Sequence, residues 1–163
     1  MALKGDRYEG ITDIAWHMNE VAERGGIATL STAGSGAAMD QSQNLATYAA
    51  NPSGAVPLGI LLNDMVNKDL TRTKINEHKN EHQKGGKVTL LKEGYVVTNM
   101  VRPDIVAAPV GSETCFVGPS GLLDTAEANG AFPIGEFQGV ADEDGYTKVY
   151  VKLPTSGPRP TLA

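Results

Sequence analysis

The sequence predicts a mainly β protein: a small β-barrel or sandwich built from two related β units, with an extended N-terminal arm, a polar middle excursion and a Pro-rich tail. Nineteen glycines and nine prolines among 163 residues put a turn-former at about every sixth position, which favours many short elements over long helices. Short apolar runs, several of them alternating with polar residues, recur between these breakers. One hexapeptide also occurs twice, as Gly54-Ala-Val-Pro-Leu-Gly59 and as Gly130-Ala-Phe-Pro-Ile-Gly135.

The elements follow in chain order. Residues 8–18 carry apolar side chains at helical spacing (Ile11, Ile14, Ala15, Met18), but Ile14, Trp16 and Met18 also alternate. A strand is preferred, because Glu23-Arg-Gly-Gly26 then turns the chain into the β run Ile27-Ala-Thr-Leu-Ser-Thr32. Leu45, Thr47 and Ala49 suggest one face of a weak strand, and Pro57-Leu-Gly-Ile-Leu-Leu62 is a second apolar run. Lys87–Lys92 and Gly94–Asn99 read as two strands with a turn at Glu93-Gly94. Glu113–Val117, Ile134–Val140 and Tyr146–Leu153 complete the set, the last introduced by a hairpin turn at Asp144-Gly145. The tail 154–163 has three prolines, so it forms neither a helix nor an inner strand.

The repeat gives the domain organisation. Upstream of each hexapeptide, Ala28–Gly36 corresponds to Cys115–Gly121, and Met39-Asp40 to Leu123-Asp124. Proline suits a strand start, where its missing N–H is not needed, and the closing glycine allows a bulge or a close backbone approach. The chain is thus expected to hold an arm or strand over 1–20 and one β domain over 21–153. That domain contains related units at about 27–62 and 113–140, with an inserted segment at 64–84 and the tail beyond it.

Composition narrows the function classes. A chain of this length fits one ordinary domain. A net charge of −5 disfavours bulk attraction to nucleic acid or anionic lipid. No run approaches the roughly 18 apolar residues of a membrane span, and the N-terminus lacks the apolar stretch of a signal peptide. The expectation is a chain made in a reducing cytoplasm, with no nucleic-acid or membrane partner. Residues 68–92 carry seven basic and three acidic groups, between two acidic flanks. That contrast suits self-association, an acidic partner or a solvated segment.

Few constellations carry chemistry. His78-Lys-Asn-Glu-His82 matches the H-x-x-E-H pattern of inverted zinc peptidases, in which two histidines one helical turn apart share a zinc and the glutamate acts as base. A third ligand on a downstream helix is required, but the chain after Glu81 reads as β. Cys115 lies in an apolar run remote in sequence from His17, His78 and His82, which indicates a buried strand cysteine. Gly34-Ser-Gly and Gly118-Pro-Ser-Gly lack the Lys-Ser/Thr of a phosphate loop. Asp142-Glu-Asp-Gly145 lacks the spaced ligands of a calcium loop. No catalytic set, cofactor or metal is expected. Trp16 is either an interface anchor or core.

Several runs resemble structural proteins of tailed bacteriophages, specifically head decoration or cement proteins. They are Pro57–Asp64, Asp69–Arg72, Asn76–Glu81, Gly85–Leu91 and Gly94–Asn99, followed by Val117–Leu123, Pro133–Gly135 and Asp142–Val149. The resemblance spans most of residues 20–153. It implies a non-enzymatic virion protein with a β-barrel-like body on the outer capsid surface, clamping neighbouring major capsid subunits as a dimer or trimer. Segments 1–20, 64–84 and 154–163 are then expected to order against other chains. The expected contacts are Trp16, Arg72, Lys74, His78, His82, Pro158 and Arg159. A tail or baseplate component is the alternative within phage structural proteins, and a zinc hydrolase the alternative of another class.

Overall fold

The computed structural model describes residues 3–31, 44–62, 81–82, 86–104, 109–126 and 131–153. It is mainly β: strands make up 53% of the described residues, and none of these is α-helical. The strands are β1 (Tyr8–Met18), β2 (Ala22–Glu23), β3 (Ile27–Leu30), β4 (Leu45–Thr47), β5 (Pro57–Leu61), β6 (Glu81–His82) and β7 (Lys87–Thr98). They continue as β8 (Glu113–Val117), β9 (Leu123–Asp124), β10 (Pro133–Phe137) and β11 (Thr147–Lys152). Nine of them form one sheet in the order β1-β4-β3-β5-β7-β11-β10-β8-β9, and β2 pairs with β6 separately.

That order reads almost the same from both ends. β4-β3-β5-β7 is mirrored by β9-β8-β10-β11, and the register repeats in detail. Thr29 lies opposite Pro57 and Ala28 opposite Gly59, with a bulge between. Phe116 lies opposite Pro133 and Cys115 opposite Gly135, again with a bulge. Pro57–Gly59 and Pro133–Gly135, the closing halves of the two hexapeptides, therefore sit in corresponding places. The glycines do the same steric work: a Cβ on Gly59 would lie 2.6 Å from the Leu91 carbonyl oxygen, and one on Gly135 would lie 1.9 Å from that of Tyr150. Leu91 and Tyr150 are themselves equivalent, being opposite Ile60 and Glu136. Only glycine admits this backbone approach.

The second part of the sequence correspondence is revised. Leu123 and Asp124 face Val117 and Phe116, as Ala46 and Thr47 face Leu30 and Thr29. β4 is thus the counterpart of β9, whereas Met39-Asp40 lies outside the described residues. The stretch of sequence between the two strands is longer in the first half, from Leu30 to Leu45 against Val117 to Leu123, so a match at similar spacing from Ser-Gly selects a different pair.

The repeat also reaches upstream. Met18 pairs in parallel with Ala46, and Val101 bridges in parallel to Leu123. The Asn19 N–H donates to the Ala46 carbonyl at 2.8 Å, and the Arg102 N–H to the Leu123 carbonyl at 3.0 Å. Since β1 also pairs with β7, the first half's pairings run β1-β4-β3-β5-β7 and return to β1.

Two expectations about elements are corrected here. Glu93-Gly94 is not a turn; β7 runs through it as one 12-residue strand. Its first part pairs with β5 and its second with β11, so one strand serves both halves. Gly94 has φ +151°, and a Cβ there would lie 2.0 Å from the Tyr8 carbonyl oxygen, so this glycine admits β1 rather than reversing the chain. Nor is the N-terminal segment an arm that waits for another chain. β1 pairs along β7, Leu3 is buried, and Met18 enters the first half's core.

The cores follow the same repeat. Met18, Ala28, Ala46, Leu58, Leu61 and Leu90 pack together in the first half. Their counterparts Val101, Cys115, Leu123, Ile134, Phe137 and Val149 pack together in the second. The halves are joined by a row across three strands, Ile27–Ile60–Leu91, which is fully buried within the second half's cluster. Complete burial of each such side chain stabilises by about 1.5–3 kcal/mol. Tyr48 adds a clasp: its ring fills the space a Cβ would need on Gly26 and Gly121, and its hydroxyl donates to the Glu23 carbonyl.

Candidate partner-binding surface

The second-half positions that correspond to Ile27, Ile60 and Leu91 are Thr114, Glu136 and Tyr150. They are not covered: Thr114 and Glu136 are exposed and Tyr150 is half-buried. The row continues, because Tyr150 lies opposite Tyr95 and Tyr95 opposite Tyr8. Directly opposed residues of a sheet project from the same face. Three tyrosines from β1, β7 and β11 therefore stand in line on an open face. The Tyr95 and Tyr150 ring centroids are 4.9 Å apart at an interplanar angle of 42°, a tilted contact favourable for aromatic rings. Lys148 Nζ lies 5.4 Å from the Tyr95 centroid, within cation–π range. The Tyr150 hydroxyl donates to Glu93 Oε1 at 3.4 Å. Partial burial, and then the Glu93 carboxylate, raise its pKa above the ordinary phenol value.

β1 forms the rim of this surface. Every residue from Gly5 to Thr12 is exposed, and Tyr8, Ile11 and Ile14 are 64%, 52% and 59% exposed. Three large apolar groups along one strand are an unusual amount of uncovered surface, and Ile11, opposite Glu93, shares the face of Tyr8 and Tyr95. β1 is offset from β7 by register shifts between Glu9 and Ile11, Ile11 and Thr12, and Asp13 and Trp16. Such bulges bend an exposed strand and limit indiscriminate pairing.

Trp16 closes the other end of β1. Its ring packs half-buried against the first half's core, and its Nε1–H donates to Asp13 Oδ2 at 2.9 Å. Asp13 also accepts the Ala15 N–H at 2.9 Å and lies 3.2 Å from Lys92 Nζ. The Ala15 N–H, followed by Trp16 and Lys92, holds this carboxyl below its usual range. Trp16 is accordingly a core-contacting residue with a polar tether.

Of the other expected contacts, His82 falls in β6, where Ala22 lies opposite it and Glu23 opposite Glu81. Glu81 and His82 are thus extended, whereas the zinc-peptidase pattern needs them on a helix. Arg72, Lys74, His78, Pro158 and Arg159 lie outside the described residues. Among the described residues, no three histidine, cysteine or carboxylate groups lie close enough to share a metal. Cys115 is fully buried on β8, and burial, with the nearby Asp124 charge, pushes its thiol well up. That thiol is inert at neutral pH. Buried Asp124 accepts a bond of 2.6 Å from Arg102 Nη1 and another of 3.1 Å from the Ala126 N–H, a structural ion pair. In the acidic hairpin loop, Asp142 accepts the N–H groups of Asp144 and Tyr146 and pairs with Lys4.

The tyrosine row is absent from the expected contacts, because three residues at positions 8, 95 and 150 carry no local signal. On β11 the sequence alternates, Lys148, Tyr150 and Lys152 facing outward between buried Thr147, Val149 and Val151. The other two tyrosines join Tyr150 only through strand register.

No protein-family model matches this chain, and no curated protein matches it.

Proposed function

We propose that the protein is a non-enzymatic virion component that decorates the outside of a phage capsid and cements neighbouring major capsid subunits. The observation that carries this reading is the open face built from Tyr8, Tyr95 and Tyr150 with Ile11 and Ile14, an aromatic surface suited to protein contact. The resemblance of the runs at 57–64, 85–99 and 117–149 to phage decoration proteins supports the same assignment. In this reading the body consists of two small barrel-like units sharing β7. A protein that binds only the assembled shell stabilises that state by its binding free energy, repeated over every site. Self-association and the basic segment at 64–84 supply further contacts.

The test is cosedimentation with expanded shells of the cognate major capsid protein. Saturable binding with raised shell melting temperature is the expected result; no binding to shells of any maturation state would refute it. Copy number in purified virions separates this role from a tail or baseplate component: hundreds for a head coat, some tens or fewer for a tail part.

A further inference from the structure

We propose that two copies of this chain pair through the outer edge of β1, antiparallel about a two-fold axis at Tyr8. β1 is bonded to β7 on one side, and the Tyr8 carbonyl points at Gly94 of that strand. Because backbone groups alternate along a strand, the N–H and C=O of Arg7 and Glu9 point to the opposite, outer edge. No other strand pairs with that edge at Tyr8–Thr12 among the described residues.

A second β1 centred on Tyr8 sets Arg7 opposite Glu9 of the mate, and Glu9 opposite Arg7, as two hydrogen-bonded pairs. Tyr8 then faces its own copy in the intervening non-hydrogen-bonded pair, where side chains approach most closely. The two side chains that flank the axis are already oriented together: Arg7 Nε lies 2.7 Å from Glu9 Oε1 within one chain. Pairing converts that contact into a ring of two cations and two anions, so the edge is complementary to itself. It also makes the tyrosine row continuous, Tyr150–Tyr95–Tyr8 of one copy running into Tyr8–Tyr95–Tyr150 of the next. The commonest symmetric oligomer is built on such a self-complementary patch. A short strand-edge contact of this kind sits at the small end of specific interfaces, so the dimer is concentration-dependent.

This proposal specifies the self-association within the cement-protein reading, yet it is tested on the isolated chain of residues 1–163, so its failure leaves shell binding to be judged separately. Sedimentation equilibrium over a range of concentrations is expected to show a monomer–dimer equilibrium. Arg7→Glu sets like charges opposite each other twice and should raise the dissociation constant about tenfold or more. The double variant Arg7→Glu with Glu9→Arg restores opposite charges and should restore the dimer. Both positions are exposed, so far-UV circular dichroism should be unchanged in each variant. A monomer at every concentration overturns the proposal. So does a dimer indifferent to Arg7→Glu, or a double variant no better than the single one.

Discussion

Single residues decide whether neighbouring strands can approach this closely, and Gly135 is the sharpest case. A methyl group there would lie 1.9 Å from the Tyr150 carbonyl oxygen, a backbone atom that cannot swing aside. Gly135→Ala should therefore destabilise by about 3 kcal/mol, in the upper range for single substitutions. Gly59→Ala, with 2.6 Å to the Leu91 oxygen, should cost less. Urea denaturation of both variants checks the order; equal, small losses would mean that the strands relax apart freely. Arg102 is the second case. It neutralises Asp124, which is only 2% exposed. Arg102→Met leaves that carboxylate buried near Cys115 without its cation, and a clear loss of stability is expected. Replacing Asp124 by Asn in the same chain should recover part of it, because the uncompensated charge is gone.

Elements show why some of the fold was legible and some was not. Pro–apolar–Gly identifies β5 and β10 because the motif recurs in the chain, although the steric demand on each glycine comes from a partner strand, at Leu91 and at Tyr150. The continuity of β7 through Glu93-Gly94 is hidden for a related reason. Gly94 looks like a turn residue, but its requirement comes from β1, more than eighty positions away, whose Tyr8 carbonyl occupies the space of its missing side chain. β1 itself has no burial alternation from Tyr8 to Thr12, since both its faces are exposed, so nothing in its pattern announced that it pairs along β7. Its far end is fixed by Asp13, which yields a pH prediction. The folded-state pKa of Asp13 is depressed, so the stability it contributes is present above the ordinary carboxylate value of about 3.9 and is lost as pH falls through the lower folded value. Asp13→Asn keeps an oxygen for the Ala15 N–H but removes the titration. The melting-temperature gap between wild type and Asp13→Asn should accordingly be widest near neutrality and shrink towards about pH 2. A gap constant with pH would remove the charge from this account.

At the scale of the molecule, two repeats of one pairing scheme have diverged by what their equivalent faces must meet. Ile27, Ile60 and Leu91 are apolar because the second half covers them; Thr114, Glu136 and Tyr150 occupy the same places but face outward. Repeat proteins differentiate terminal units in this way, keeping an apolar face inside and a polar one outside. The divergence has a thermodynamic consequence. Neither half is self-sufficient, because β7 completes both and the Ile27–Ile60–Leu91 row belongs to the second half's core while lying on first-half strands. Thermal unfolding of the described body should therefore be one cooperative transition, with calorimetric and van't Hoff enthalpies in agreement, despite the internal repeat. Ile60→Thr, which replaces the buried residue with a polar one of smaller volume, should lower that single transition by several degrees without splitting it. Two resolved transitions, in the wild type or in Ile60→Thr, would show instead that the halves fold independently and that the shared row contributes little.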